Sequence, residues 1–309
     1  MKKLLITEIM DEQEVQKLQS MFTTIYDPNL FNNEKKIIEL IPEMDALIVR
    51  NNTLVNETIL AASKQLKVIG RLGVGLNNIN VELCKKKNIT IIPATGANTV
   101  SVAEYVISCM LVLSRKVFNA TESVIAGDWP RNKFMHGLEL YNQTLGIIGL
   151  GSIGKAVAAR AKSFDMNIIS YDPLIKESSS EFSYIQMKSL EEIFAQSDII
   201  TLHIPLNADT KNLINKDKIQ LMKKGSILIN TSRGEVVDEN AVIENLKSHH
   251  LGGAALDVFN QEPLTKENAN KFKDIPNLIC TPHISGLSEQ ANKRVSSMIA
   301  NSVMKFFSL

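Results

Sequence analysis

Three charged side chains stand just past three apolar, strand-like runs late in the chain. Arg233 follows "SILIN" in "TSRG", Glu262 follows "GAALDVF" in "NQEP", and His283 follows "NLICTP". In an open parallel sheet, ligands bind beyond the carboxyl ends of the strands. A cation, a carboxylate and an imidazole on one such edge suit hydride transfer to a 2-oxo acid. The carbonyl must be polarised and the acid's carboxylate held, and a guanidinium has a planar fork of donors for both tasks. The alkoxide that forms needs a proton, which imidazole supplies near neutral pH, and a neighbouring glutamate fixes the ring's orientation. Each residue alone has a plainer role: Arg233 bridging loops, Glu262 a surface acid, His283 a packed core histidine. The shared edge is what favours chemistry.

A second pattern says what would lie on that edge. "TLGIIGLGSIGKAVAARA" holds G-x-G-x-x-G as Gly149, Gly151 and Gly154. The bare motif is common by chance, but here it follows an apolar run and opens an alanine-rich helical segment. Gly149 permits the tight turn, Gly151 lets backbone approach a pyrophosphate, and Gly154 lets helix and strand pack closely. The helix start offers the N–H groups of Ser152 and Ile153 to the phosphates. Asp172, in "ISYDP", lies 18 residues past Gly154. A carboxylate there accepts from both ribose hydroxyls and repels a 2′-phosphate. No arginine follows in "DPLIKE", so NAD is expected rather than NADP.

These residues need a scaffold of alternating strands and helices. The first third has strand candidates at 3–7, 46–50, 66–70 and 89–93, separated by helical patterns. One long, largely buried helix is expected over 98–120, capped by Thr99 or Ser101. Six further runs, at 144–149, 166–172, 198–204, 226–232, 252–258 and 277–283, are apolar nearly throughout, as strands buried on both faces are. Six is the number a doubly wound dinucleotide fold needs. With 309 residues, two α/β domains are expected.

Composition narrows the partners. A net charge of +1 gives no reason to expect nucleic acid or an anionic membrane, and no apolar run is long enough to span a bilayer. Lys85–Lys87 reads as a solvated helix end. Cys84, Cys109 and Cys280 have no metal-site or redox spacing, so reduced thiols in a cytoplasm and no metal are expected. The lysines and short apolar run at the start, followed at once by acids, do not make a signal peptide.

In order and spacing, "GLGSIG…YDP", "LHIPLNADTKNLI", "LINTSRGEVVDENAV", "GAALDVFNQEPL" and "TPHISG" resemble the D-isomer-specific 2-hydroxyacid dehydrogenases, among them the 3-phosphoglycerate dehydrogenases. The likeness spans essentially the whole chain. It implies a Rossmann domain over 98–284 inserted in a smaller, flavodoxin-like α/β substrate domain of 1–97 plus 285–309. It implies Arg233, Glu262 and His283 as catalytic residues. Further NAD contacts are implied at His203, Pro205, Thr210, Thr231, Gly286 and, near the carboxamide, Asp257. "VIGRLGVGLNNIN" implies that the N–H groups of Val74 and Gly75 hold the substrate carboxylate. Asn98 and Val102 are implied at the cleft, and Arg50 against a distal anion. A homodimer through the NAD-binding domain, around 98–120 and the "AGDWPRNKF" arm, is implied as well.

Some positions depart from the family pattern. Ser152 stands where arginine is common, Asn77 and Asn80 where aspartates are usual, and "HISGLS" differs from the phosphoglycerate form. With the sequence ending at Leu309, the C-terminal regulatory domain of the phosphoglycerate members is not expected. The opening "ITEIMDEQEVQKL" resembles members that act on 3-sulfolactate. Glyoxylate, hydroxypyruvate and lactate are alternative substrates, and an NAD(H)-sensing binding protein is the non-enzymatic alternative.

Overall fold

Short apolar runs fold as parallel strands gathered in two sheets. The computed structural model describes residues 1–175 and 180–308. One sheet contains β1 (Lys3–Ile6), β2 (Thr23–Tyr26), β3 (Ala46–Val49), β4 (Val68–Arg71) and β5 (Thr90–Pro93), in the order β2-β1-β3-β4-β5. The other contains β6 (Thr144–Ile148), β7 (Asn167–Tyr171), β8 (Ile185–Met187), β9 (Ile199–Leu202), β10 (Ser226–Asn230), β11 (Leu251–Leu256) and β12 (Leu278–Cys280). Its order is β12-β11-β10-β9-β6-β7-β8, which reverses at β6 and β9. All pairings between these strands are parallel. The chain divides into two compact units, Met1–Asn98 with Leu287–Leu309, and Thr99–Gly286. This is the two-sheet α/β architecture that the alternating pattern predicts.

Parallel strands bury both faces under helices, which is why β3 reads as an unbroken apolar run and β10 is apolar between its end residues. In the first unit Leu4, Ile6, Ile48 and Val68 pack against Val295, Ile299 and Val303 of the Glu289–Phe306 helix. Leu5, Leu47 and Ile69 meet Ile37, Ile59 and Leu60 on the opposite face. In the second unit the Thr99–Arg115 helix sets Val106, Met110 and Leu113 in one core with Leu145, Ile147 and Val157. Ile200 and Leu228 meet Ile193, Phe194 and Val242 on the other face. Each such fully buried aliphatic side chain contributes about 1.5–3 kcal/mol.

Three expectations need correction. β2, "TTIY", is an edge strand that the apolar-run reading omits, since two threonines and partial exposure hide it. β8 has three residues, so the larger sheet has seven strands where six are expected. The 98–120 segment is two helices. Lys116, at φ 54°, stands between Thr99–Arg115 and Val117–Ile125. A left-handed residue interrupts the hydrogen-bond ladder, and no glycine or proline announces it. Among the described residues no helix is long and apolar enough to cross a membrane.

Candidate active site

The late strands of the second unit carry the three charged residues on loops at their carboxyl ends, each shaped by local bonds. Beyond β10, the Asn230 side-chain amide donates to the Arg233 carbonyl at 2.9 Å, and its oxygen accepts from the Ser232 N–H and hydroxyl. Arg233 is extended there, and its guanidinium donates to the Ser232 carbonyl at 2.6 Å. Gly234 is pressed on the next loop. A β-carbon at 234 would stand 1.9 Å from the Phe259 carbonyl carbon, so only glycine lets the two loops touch. Glu262 then accepts the Phe259 N–H at 2.9 Å through Oε1, and its Oε2 lies 2.7 Å from His283 Nδ1.

The structure thus brings Glu262 and His283 into direct contact, and Arg233 within reach of the same charge field. An ionised carboxylate only accepts, so the His283 Nδ1 carries a hydrogen and Nε2 is the nitrogen left to exchange a proton. Desolvation raises the Glu262 carboxyl. The His283 bond, the Phe259 N–H and the charges of His283 and Arg233 outweigh it and hold the group below the ordinary glutamate range. Burial lowers the Arg233 guanidinium, and the Glu262 charge opposes that; it stays a cation at any working pH. Two residues unnoticed in the sequence support the Glu262 loop. The buried Glu239 accepts the Asn260 N–H at 2.7 Å and pairs with Lys271.

His283 itself has φ 57°. Its turn is fastened to Asp257, whose carboxylate is fully buried and accepts the Thr281 hydroxyl at 2.6 Å and the Ile284 and Ser285 N–H groups at 2.8 Å. Asp257 is therefore engaged by protein donors at the position where the resemblance implies a cofactor contact. Gly286 ends this turn, half-buried.

The glycine loop sits at the point where the strand order reverses. Gly149 has φ 97°, and a β-carbon there would meet the His203 carbonyl at 2.4 Å. At Gly154 a β-carbon would stand 2.2 Å from the Gly149 carbonyl, whereas at Gly151 it would enter open space. The Ser152–Lys162 helix starts at Gly151 with no side-chain cap and no acid in its first turn. Open space and uncapped N–H groups fit a pyrophosphate. Asp172 accepts from the loop's Leu150 N–H at 2.8 Å and from Leu174 at 2.9 Å, which leaves each oxygen a further lone pair. Lys176 and Glu177 of "DPLIKE" lie outside the described residues.

Beyond β9, burial pushes the His203 imidazole down to about 3, so it is neutral, and its Nε2 lies 3.1 Å from the Thr201 hydroxyl. Pro205 and Thr210 close the following turn, the Thr210 hydroxyl donating to the Pro205 carbonyl at 2.7 Å. The Thr231 hydroxyl oxygen is buried without a partner, a group that a ligand would satisfy.

In the first unit, Arg50 follows β3. Its guanidinium donates to Asn292, while Nε is buried and unpartnered. Desolvation lowers its pKa, against the charges of Glu8 and Tyr26. Glu8, buried beyond β1, accepts the N–H groups of Arg50, Asn52 and Thr53 at 2.8–3.0 Å. Asn78 ties the Arg50 and Thr53 carbonyls together from below at 3.0 and 2.8 Å. Sequence reading missed Glu8, Asn78 and Asn292, and only an acid directly after a strand hints at the first. Val74 and Gly75 follow β4, with Val74 exposed. The Asn98 side-chain oxygen is buried and unpartnered. Val102, expected at the cleft, instead packs in the core of the second unit.

Comparison with known proteins follows the same lines. The sequence model of the D-isomer specific 2-hydroxyacid dehydrogenase NAD-binding domain matches residues 107–285. The chain is 39% identical to an (S)-sulfolactate dehydrogenase of Chromohalobacter salexigens over 306 residues, covering 99% of this chain and 98% of that one. It is also 39% identical to a D-3-phosphoglycerate dehydrogenase of Methanocaldococcus jannaschii, with 99% of this chain but only 57% of the relative covered. A solved structure of Aquifex aeolicus D-lactate dehydrogenase complexed with NAD and lactic acid superposes with TM-score 0.83 at 27% identity, covering 99% and 96% of the two chains.

Proposed function

The chain belongs to the D-isomer-specific 2-hydroxyacid dehydrogenase family, and on that premise we propose that it interconverts a 2-hydroxy acid of the 3-phosphoglycerate type, one bearing a second anion, with its 2-oxo acid. It is an NAD-dependent oxidoreductase acting on a CH–OH group. The observation that carries the reading is the 2.7 Å Glu262–His283 bond on the strand edge that also bears Arg233.

NAD(H), when bound, supplies or accepts the hydride. The chain's own residues do the rest. Gly151 leaves room for the pyrophosphate and Ser152 and Ile153 donate N–H groups to it; Asp172 takes the ribose hydroxyls. The unpartnered Thr231 hydroxyl supports its role as a further cofactor contact, and likeness assigns His203, Pro205, Thr210, Asp257 and Gly286 to the cofactor as well. Arg233 polarises the carbonyl and takes the substrate carboxylate, a group that likeness also assigns to the Val74 and Gly75 N–H groups. His283 delivers the Nε2 proton to the forming alkoxide while Nδ1 stays on Glu262; in oxidation it takes that proton back. Asn98 and Arg50 serve the rest of the substrate. The buried, unpaired Nε of Arg50 supports a second anion there.

A second reading, 3-sulfolactate, is favoured by the match along 98% of the sulfolactate dehydrogenase. Both readings use Arg50, and one assay separates them: loss of NADH absorbance with 3-phosphohydroxypyruvate, 3-sulfopyruvate, hydroxypyruvate, glyoxylate and pyruvate. The expected preference for one of the first two is at least about tenfold in kcat/KM, about 1.4 kcal/mol. Arg50→Gln is expected to erase that preference. Equal use of the small acids would remove Arg50's role and leave the family chemistry standing. NADH binding without turnover of any acid would favour a sensor. The three free thiols support a reducing, cytoplasmic setting.

A further inference from the structure

We propose that Tyr105 is a positioning residue for the catalytic turn: through Thr281 and Asp257 its hydroxyl holds the backbone that presents His283 to Glu262. The inference rests on the reading of His283 as the proton donor.

Bond directions follow from chemistry. Asp257 can only accept, so the single hydroxyl hydrogen of Thr281 goes to its Oδ1, at 2.6 Å. The hydroxyl of Tyr105 lies 2.5 Å from the same Thr281 oxygen and must therefore be the donor. Burial, the largest influence, raises the phenol's pKa, against the Thr281 bond, so the group keeps its proton.

The chain phenol to hydroxyl to carboxylate ends where the turn is held. Asp257 accepts the Ile284 and Ser285 N–H groups through its carboxylate and the His283 N–H through its carbonyl, each at 2.8 Å. Three successive N–H groups thus converge on one residue. They hold His283 at φ 57°, a left-handed conformation that a residue with a β-carbon adopts only under restraint. Tyr105 belongs to the Thr99–Arg115 helix, so its hydroxyl ties the end of β12 to that helix. Removing its donor takes away one of the two hydrogen bonds that fix the Thr281 hydroxyl, and with it one restraint on the carboxylate beneath His283.

The test uses the full chain, with the fastest-reduced of 3-phosphohydroxypyruvate, 3-sulfopyruvate and hydroxypyruvate as probe. Tyr105→Phe is expected to lower kcat about tenfold while the Kd for NADH, read by fluorescence, stays within about twofold. Thr281→Ser keeps a hydroxyl and should retain turnover; Thr281→Val should lose it. The double variant Tyr105→Phe/Thr281→Val should be no slower than Thr281→Val alone, because both act through one chain of bonds. Full turnover in Tyr105→Phe, multiplying losses in the double variant, or an equal fall in NADH affinity and kcat would each overturn the proposal. His283→Gln is the reference: if it turns over normally, the proton-donor reading fails instead.

Discussion

His283 and Glu262 form a pair whose two halves answer different questions. The imidazole is half exposed and carries little packing, so His283→Gln should fold and bind NADH normally. Its kcat should drop by a factor of about 10²–10⁴, the usual contribution of a positioned proton donor; loss of folding instead would mean a structural histidine. Glu262 answers through pH. Its carboxyl is held below the ordinary value by the His283 bond and its neighbours, against desolvation. The ionised form is therefore bound more tightly in the folded state than in the unfolded one. The stability it adds is fully present above the ordinary glutamate value, about 4.3, and is lost as pH falls through the lower folded value. Urea midpoints of the wild type and Glu262→Gln should differ at pH 5, and the gap should close as pH falls below about 4. A gap that widens on acidification would contradict the depressed carboxyl.

At the scale of elements, the contact between the Arg233 and Glu262 loops hangs on Gly234. A methyl group there would sit 1.9 Å from a backbone carbon, and backbone has no rotamer to yield. Gly234→Ala should destabilise the chain by about 2 kcal/mol or more and, in what remains folded, depress kcat by separating the loops. Thermal melts and kinetics of the variant check both, and a wild-type melting point would show that the loops move apart freely. Much of this level was legible in the sequence, because a strand buried on both faces writes itself as an apolar run and the polar residue that ends it marks a loop. The strand-end positions of Arg233, Glu262 and His283 read out that way, and the turn of the glycine loop by its context. What stayed hidden has a common cause. The partially exposed β2 and three-residue β8 have no apolar run to betray them, and Lys116 adopts a left-handed conformation that its type does not signal. The Arg50–Asn292 bond joins residues 242 apart in sequence, and Glu8 acts through backbone N–H groups more than forty residues away. Local periodicity reports burial; it is silent on which distant group completes a site.

At the scale of the whole molecule, the second unit exposes apolar side chains where a lone soluble chain has little reason to. Ile125, Trp129 and Met135 are 82%, 81% and 70% exposed, with Val117, Val124, Leu138 and Tyr141 also exposed along the same segment. Singly exposed apolar residues are ordinary, but seven among the described residues of 117–141 mark a surface built to be covered. The segment lies on and after the Val117–Ile125 helix, in the NAD-binding unit. Its expected cover is the same segment of a second chain, since a two-fold interface pairs a patch with itself. Light scattering at micromolar concentration should give twice the mass of one chain. Replacing Ile125 and Trp129 together by glutamate places two charges on each side of that axis, and should yield the single-chain mass with NADH binding retained. A wild-type protein that scatters as one chain, or a doubly substituted one that still pairs, would remove the self-association and leave the exposed run to some other partner.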